Sequence, residues 1–201
     1  MDMATSATTT PSPPATGERT QRADARRNRK RILATAREQF AEHGLDVHME
    51  QLARAAGVGV GTVYRHFPNK EDLLQALVDE RFGYFAEVTS AALSDPDPWN
   101  GFCTMMRESA RVTAEDQAVS GAMDQHAGMC AAAAEKSGLR EAGAELVERA
   151  QASGKLRSDF NVEDIGSIMC GLGRATVARD GGGPPMSWER YLDIILAGLR
   201  A

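Results

Sequence analysis

Thr62, Tyr64, Arg65 and His66 can each donate a hydrogen bond to a phosphate or to a base edge, and they are packed into five consecutive positions. They follow directly on Gly57-Val58-Gly59-Val60-Gly61 and precede Phe67, Pro68, Asn69 and Lys70. Two chemistries suit glycines beside such donors. The first is a loop that cradles phosphate. A dinucleotide fingerprint, however, needs a preceding strand and the spacing G-x-G-x-x-G; here the third glycine comes too early and helical pattern precedes the run. The second is a short helix presented to the major groove of DNA, and it fits better.

A groove-reading helix has to be held by a partner helix across a tight turn. Leu52, Ala53 and Ala56 give the preceding segment an apolar side at one-turn spacing. Gly57 stands where the chain must reverse with a positive φ. Val58 can then plug the space between two helices, and Val63 and Phe67 are suited to the core beneath them. Such a helix meets bases through its first turns, which makes Gly59, Val60, Gly61 and Thr62 the base-proximal positions. Val60 offers an apolar contact for a thymine methyl, and Gly61 allows close backbone approach.

Charge supports the same reading. The whole chain of 201 residues carries a formal −5, but the segment from Arg19 to Lys70 holds 11 Lys and Arg against 5 Asp and Glu, which leaves 12 against 23 elsewhere. One electropositive segment on an acidic chain is steered towards polyanions while the remainder is repelled from them. Arg19, Arg22, Arg26, Arg27, Arg29, Lys30 and Arg31 open a helix whose later half, with Ile32, Leu33, Ala36 and Phe40, faces a core. Cations at a helix N-terminus oppose the macrodipole. DNA phosphate gives Arg26 and Arg29 a reason to be there; plain solubility is the alternative. Residues 1–18, rich in Thr, Ser, Ala and Pro, read as a disordered arm. Gly44 ends the basic helix. His48 stands at the N-cap of the next, a poor cap that Gln51 can assist by bonding back to its amide.

The run Ala56-Gly-Val-Gly-Val-Gly-Thr-Val-Tyr-Arg-His-Phe67, followed by Pro68-Asn69-Lys70-Glu71, resembles the TetR family of bacterial transcriptional regulators. The resemblance implies an all-α homodimer with an N-terminal three-helix DNA-binding domain and a larger C-terminal domain that dimerises and binds a small molecule. Here these would be residues 19–68 and 69–201. It further implies that Thr62, Tyr64, His66 and Lys70 mainly contact the DNA backbone, with Thr62 and Tyr64 also able to reach bases. Members often carry a polar residue and Lys where this chain has Gly59 and Val60, which shifts specificity towards methyl contacts, DNA shape and dimer spacing. Looser similarity to C-terminal halves of TetR-like regulators runs through Ala150–Phe160 and Trp188–Arg200.

Beyond the motif, the pattern is helical throughout, about nine helices in all. Asn69 caps a long helix to about Leu93, with Leu74, Val78, Phe82, Phe85 and Val88 in one stripe. Asp95-Pro96-Asp97-Pro98 is a loop. Trp99 to Ala110 forms one helix, Val119 to Cys130 another, and a third begins near Ser137 and closes at Gly154. A fourth opens at Asn161, and Ser187 caps the last after a loop at Gly181–Pro185. Phe102, Met105, Met106, Met123, His126 and Cys130 are candidate walls of an effector pocket, because methionine adapts to irregular apolar ligands and a histidine can orient one polar group. An ordinary core is the alternative. Ile165, Met169, Leu172, Trp188, Leu192, Ile195 and Leu199, with Gly166, Gly171 and Gly173 allowing close approach, are candidates for a dimer face. These stripes could equally be internal.

Catalytic, cofactor and metal sites are not expected. H-E-x-x-H, G-x-S-x-G and P-loop patterns are absent from the sequence, and the four histidines show no ligand spacing. Cys103, Cys130 and Cys170 are odd in number and lack C-x-x-C, which argues against a disulfide framework and for a reducing cytoplasm. No run approaches the ~18 apolar residues of a membrane span. The expected partners are double-stranded DNA with a palindromic operator, a second copy of the chain and a small, apolar effector. The rivals are a dimeric DNA-binding protein without effector and, from another class, a small-molecule enzyme.

Overall fold

Short turns set the angles between the first helices, and the residues that make those turns are polar or glycine. The computed structural model describes residues 16–176 and 186–201. In it, α1 (Thr16–His43) is followed by a single 3-10 turn at Gly44–Asp46, then α2 (Met49–Ala55) and α3 (Val60–His66). The Gln51 side chain accepts a hydrogen bond from the His48 amide at 2.8 Å, completing the start of α2 that His48 alone serves poorly. Gly57 takes φ +61 between α2 and α3, a conformation that costs a side-chain-bearing residue about 1–2 kcal/mol. Asn69 accepts from the Asp72 amide at 2.8 Å and starts α4 (Lys70–Ala92).

α1 begins inside the segment expected to be a disordered arm. Glu18, Arg19, Gln21, Arg22 and Ala23 are serviceable helix formers. Extending a helix already nucleated on Ile32 and Leu33 fixes one residue for each bond gained. Residues 1–15, the rest of that expected arm, and the loop Gly181–Pro185 lie outside the described residues.

Two cores sit at opposite ends of α4. The first joins Ile32, Leu33, Ala36 and Phe40 of α1 to Leu52 and Ala53 of α2, Val63 of α3, Phe67, and Leu73 and Leu77 of α4. Each large side chain among them removed from water contributes about 1.5–3 kcal/mol. The second is built around Phe102 and Met106 of α5 (Pro98–Glu115), Leu146 of α8 (Leu139–Ala152), Leu172 of α9 (Val162–Ala175) and Leu192 of α10 (Trp188–Leu199). The chain end is tied back where the Arg157 amide donates to the Leu199 carbonyl at 3.0 Å.

The expected single helix from Val119 to Cys130 is two, α6 (Gln117–Gln125) and α7 (Ala127–Ser137). His126 breaks it with φ −127 and ψ 56, serving both as the cap that ends one and as the cap that starts the other. The break lets α6 lie against α1, and Val119 is buried with the first core rather than the second.

Candidate functional site

α3 is only seven residues long, too short to be stable alone. Val63 and the following Phe67 hold it by facing inward, both essentially inaccessible to solvent. The opposite side is open. Gly59, Gly61 and Arg65 are exposed, as are Val60 at 39% and Tyr64 at 40%. Thr62 and His66 are half-buried at its flanks. Burial first, and then the nearby Arg29 and Arg65 cations, hold the His66 imidazole below its ordinary value. Tyr64 donates from its hydroxyl to Glu50 of α2 at 2.9 Å. That bond raises the tyrosine's pKa, and together with the glutamate's own backbone amide it lowers that of Glu50.

The basic stretch of α1 shares this side of the molecule. The Arg29 guanidinium lies 4.6 Å from the centre of the Phe67 ring, and Arg31 donates to the Gly57 carbonyl at 3.4 Å. Arg26 is exposed one turn earlier. Lys70, at the start of α4, lies 5.8 Å from the centre of the Phe40 ring. The residues expected to meet DNA are therefore gathered around α3, the turn before it and the adjoining part of α1.

The second site is a cavity of about 820 Å³ lined by α4 to α9, within the range of small-molecule sites. Its wall is chiefly apolar, with Phe82, Phe85, Met105, Met123, Ile165 and Met169. Thr89 and Thr113 face it too, each donating its hydroxyl to the carbonyl four residues earlier at 2.7 and 2.8 Å. The proton being committed there, the hydroxyl oxygens retain acceptor capacity.

This placement corrects several expectations. Met123 and Cys130 line the cavity, as does Met105, but Phe102 and Met106 do not: both are fully buried in the second core, where Phe102 meets Phe160 edge-on at 5.6 Å. His126 is spent on the break between α6 and α7 and does not belong to the wall. Of the residues considered for a dimer face, Met169, Leu172, Leu192 and Leu199 are buried within this chain. Ile165, Trp188 and Ile195 are half-buried. Gly171 does allow a close approach, but from inside: a Cβ there would stand 2.6 Å from the Tyr191 hydroxyl of α10.

Several cavity residues were not among the expected walls, and one of them is charged and buried. Arg81 is 4% exposed and lines the cavity. Its guanidinium meets the Asp116 carboxylate at 2.8 Å and donates to the Asp116 carbonyl at 2.9 Å and to the Ser120 hydroxyl at 2.8 Å. Burial pulls its pKa down and Asp116 holds it up. The signal was present in the sequence: Arg81 stands four residues from both Leu77 and Phe85, a cation on an apolar stripe.

Among the described residues, no group of three or more His, Cys, Asp or Glu could hold a metal ion, and no helix is long and apolar enough to cross a membrane.

A groove-sized helix presented by a three-helix unit, joined to a cavity-bearing helical domain, defines the class of helix-turn-helix DNA-binding proteins. Comparison with known proteins makes this specific. Residues 32–77 match the model of the bacterial regulatory proteins of the tetR family, and residues 97–201 match that of the C-terminal domain of SbtR-like transcriptional regulators. The solved TetR transcription regulatory protein of Mycobacterium vanbaalenii is similar at 33% identity, covering 90% of this chain and 99% of that one, with a TM-score of 0.62. A TetR regulator of Streptomyces coelicolor is similar at 28% identity over 86% of this chain and 98% of its own, with a TM-score of 0.59. An HTH-type transcriptional regulator of Staphylococcus aureus is 38% identical over 65 residues, 32% of this chain. The match spans 35% of the length of that curated relative. The chain belongs to the TetR family of DNA-binding transcriptional regulators, with a C-terminal half of the SbtR-like type.

Proposed function

We propose that the chain acts in the cytoplasm as a homodimeric repressor that binds a palindromic operator and leaves it when a small, largely apolar effector enters the C-terminal cavity. The observation that carries this reading is the open first turn of α3. Gly59, Val60 and Gly61 face outward on a helix whose other side is locked into the core by Val63 and Phe67. In the major groove those three residues and Thr62 meet base edges. Tyr64, His66, Lys70, Arg26 and Arg29 grip phosphates and set the register.

A two-fold dimer places two such helices on half-sites about 34–36 Å apart or a multiple of that. The outward side of α9 and α10 is the face we assign to the second copy. Ile194 of α10 is 55% exposed, and Trp188 and Ile195 on the same helix are half-buried. An effector favours release only in so far as it binds better to the arrangement that mismatches the operator. Selection of DNA sequences by the purified chain tests the reading. Recovery of an inverted repeat with helical spacing is expected, and absence of any enriched sequence would overturn it.

A further inference from the structure

We infer that the effector carries a carboxylate on an apolar body, and that this carboxylate competes with Asp116 for Arg81. The inference rests on the regulatory reading above and adds the chemistry of the ligand and the contact through which it is sensed.

The first observation is charge. Outside residues 19–70 the chain has nearly twice as many acidic as basic residues, yet the charged residues lining the cavity are Arg81, Arg140, Arg174 and Glu163. Arg140 and Glu163 pair with each other at an exposed position. A buried arginine on a chiefly apolar wall, whose own carboxylate partner is not part of that wall, favours an anion as the polar end of a ligand. The second is burial. Arg81 is a guanidinium withdrawn from water, and such a group requires an anionic partner at all times. Its fork suits a carboxylate, and the Asp116 carboxylate meets it through a single oxygen, Oδ2, at 2.8 Å. Beside it lie Phe82, Phe85 and Met105, which would take the apolar body.

The third observation is what Asp116 holds together. Its side chain accepts from the Val119 amide at the start of α6 and faces Arg37 of α1 at 3.7 Å. Arg37 in turn pairs with Glu80 of α4 at 2.9 Å. One carboxylate thus joins the cavity cation, the cap of α6 and the helix that leads into the DNA-binding unit. The Asp116 side chain is 21% exposed while that of Arg81 is 3% exposed. When a ligand carboxylate takes Arg81, Asp116 can return to water and to Arg37, whereas Arg81 never loses its counter-charge. The exchange loosens α4 from α6 at the point where α6 rests on α1.

Straight-chain alkanoates of six to twelve carbons, with the alcohols of the same lengths, are the probes, and titration calorimetry on the full chain is the measurement. At least one acid is expected to bind about tenfold or more tighter than its alcohol, and Arg81→Met should abolish that preference. Asp116→Asn should unfold at lower temperature without ligand and gain more from the acid than the wild type does, because the internal competitor is gone. Equal binding of acids and alcohols, no acid binding at all, or a preference that survives Arg81→Met would overturn the inference. If Arg81→Met does not fold, Asp116→Asn decides: a thermal gain no larger than that of the wild type overturns it. An alcohol that releases a selected DNA sequence as well as its acid does would remove the carboxylate exchange and leave the regulator. Failure to select any DNA sequence would instead remove the regulator itself.

Discussion

The DNA-facing helix and the cavity are built in opposite ways. α3 is convex, contiguous and short, and its outward side chains depend on two inward ones, Val63 and Phe67. The cavity is concave and assembled from α4 to α9, with a wall drawn from residues as far apart as Arg81 and Arg174. A change on the outer face of α3 therefore acts on one contact. A change in the cavity wall acts on several helices together, and through Asp116 it also reaches α1. Local sites tolerate variation in what they read, while distributed sites are where movement can be coupled.

The strongest test of that contrast is Phe67→Ala, which empties a fully buried site in the first core. It should cost about 3–5 kcal/mol in denaturant unfolding and abolish sequence-specific DNA binding while the cavity still takes ligand. Loss of both in one cooperative transition would show that α4 fuses the two cores into a single unit, and the contrast would fail. Gly57→Val comes next. At φ +61 a side chain costs about 1–2 kcal/mol, expected as a lower melting temperature and weaker DNA binding with ligand binding unchanged.

Val60→Lys should leave stability within about 0.5 kcal/mol, since the site is exposed. It should steepen the salt dependence of DNA binding by roughly one ion per recognition helix and shift selected sequences towards guanine. An unaltered preference would remove Val60 from the base edge. The smallest effect belongs to His66. Its imidazole is held below the ordinary value, so the free chain keeps it neutral at pH 7 and an adjoining phosphate draws a proton onto it. DNA affinity should rise by less than about tenfold as pH falls through 6.5. Over the same window the free chain loses stability, because the unfolded state binds the proton first. His66→Gln should flatten both curves, as read by fluorescence anisotropy and thermal unfolding.

The contrast also explains what could be read from sequence. Everything that makes α3 lies between Leu52 and Asn69, so turn, core face and exposed face were all visible in one stretch. The cavity has no such stretch. Phe102 and Met106 share a helix with Met105, yet only Met105 lines the cavity, because neighbouring positions on a helix point about 100° apart and which direction is inward depends on distant partners. For the same reason Leu172 and Leu192 looked like a surface for a second chain when they face one another's neighbourhood within this one. Periodicity shows that a face is apolar and leaves open what covers it.

The length of α1 has a kinetic consequence. Its 28 residues make a rod of about 42 Å, and among its described side chains the fully buried ones begin only at Ile32. The half ahead of that point is a charged spar, held at its base by Arg29 on the Phe67 ring and Arg31 on the Gly57 carbonyl, with Arg22, Arg26, Arg27, Arg29, Lys30 and Arg31 exposed along it. Such a spar enlarges the region in which a diffusing molecule is captured by DNA of any sequence, and then keeps it within a short hop of the helix axis while α3 samples the groove. On the proposed reading, search and base recognition fall to different helices, and ionic strength screens both the capture by α1 and the phosphate contacts that hold α3 in register.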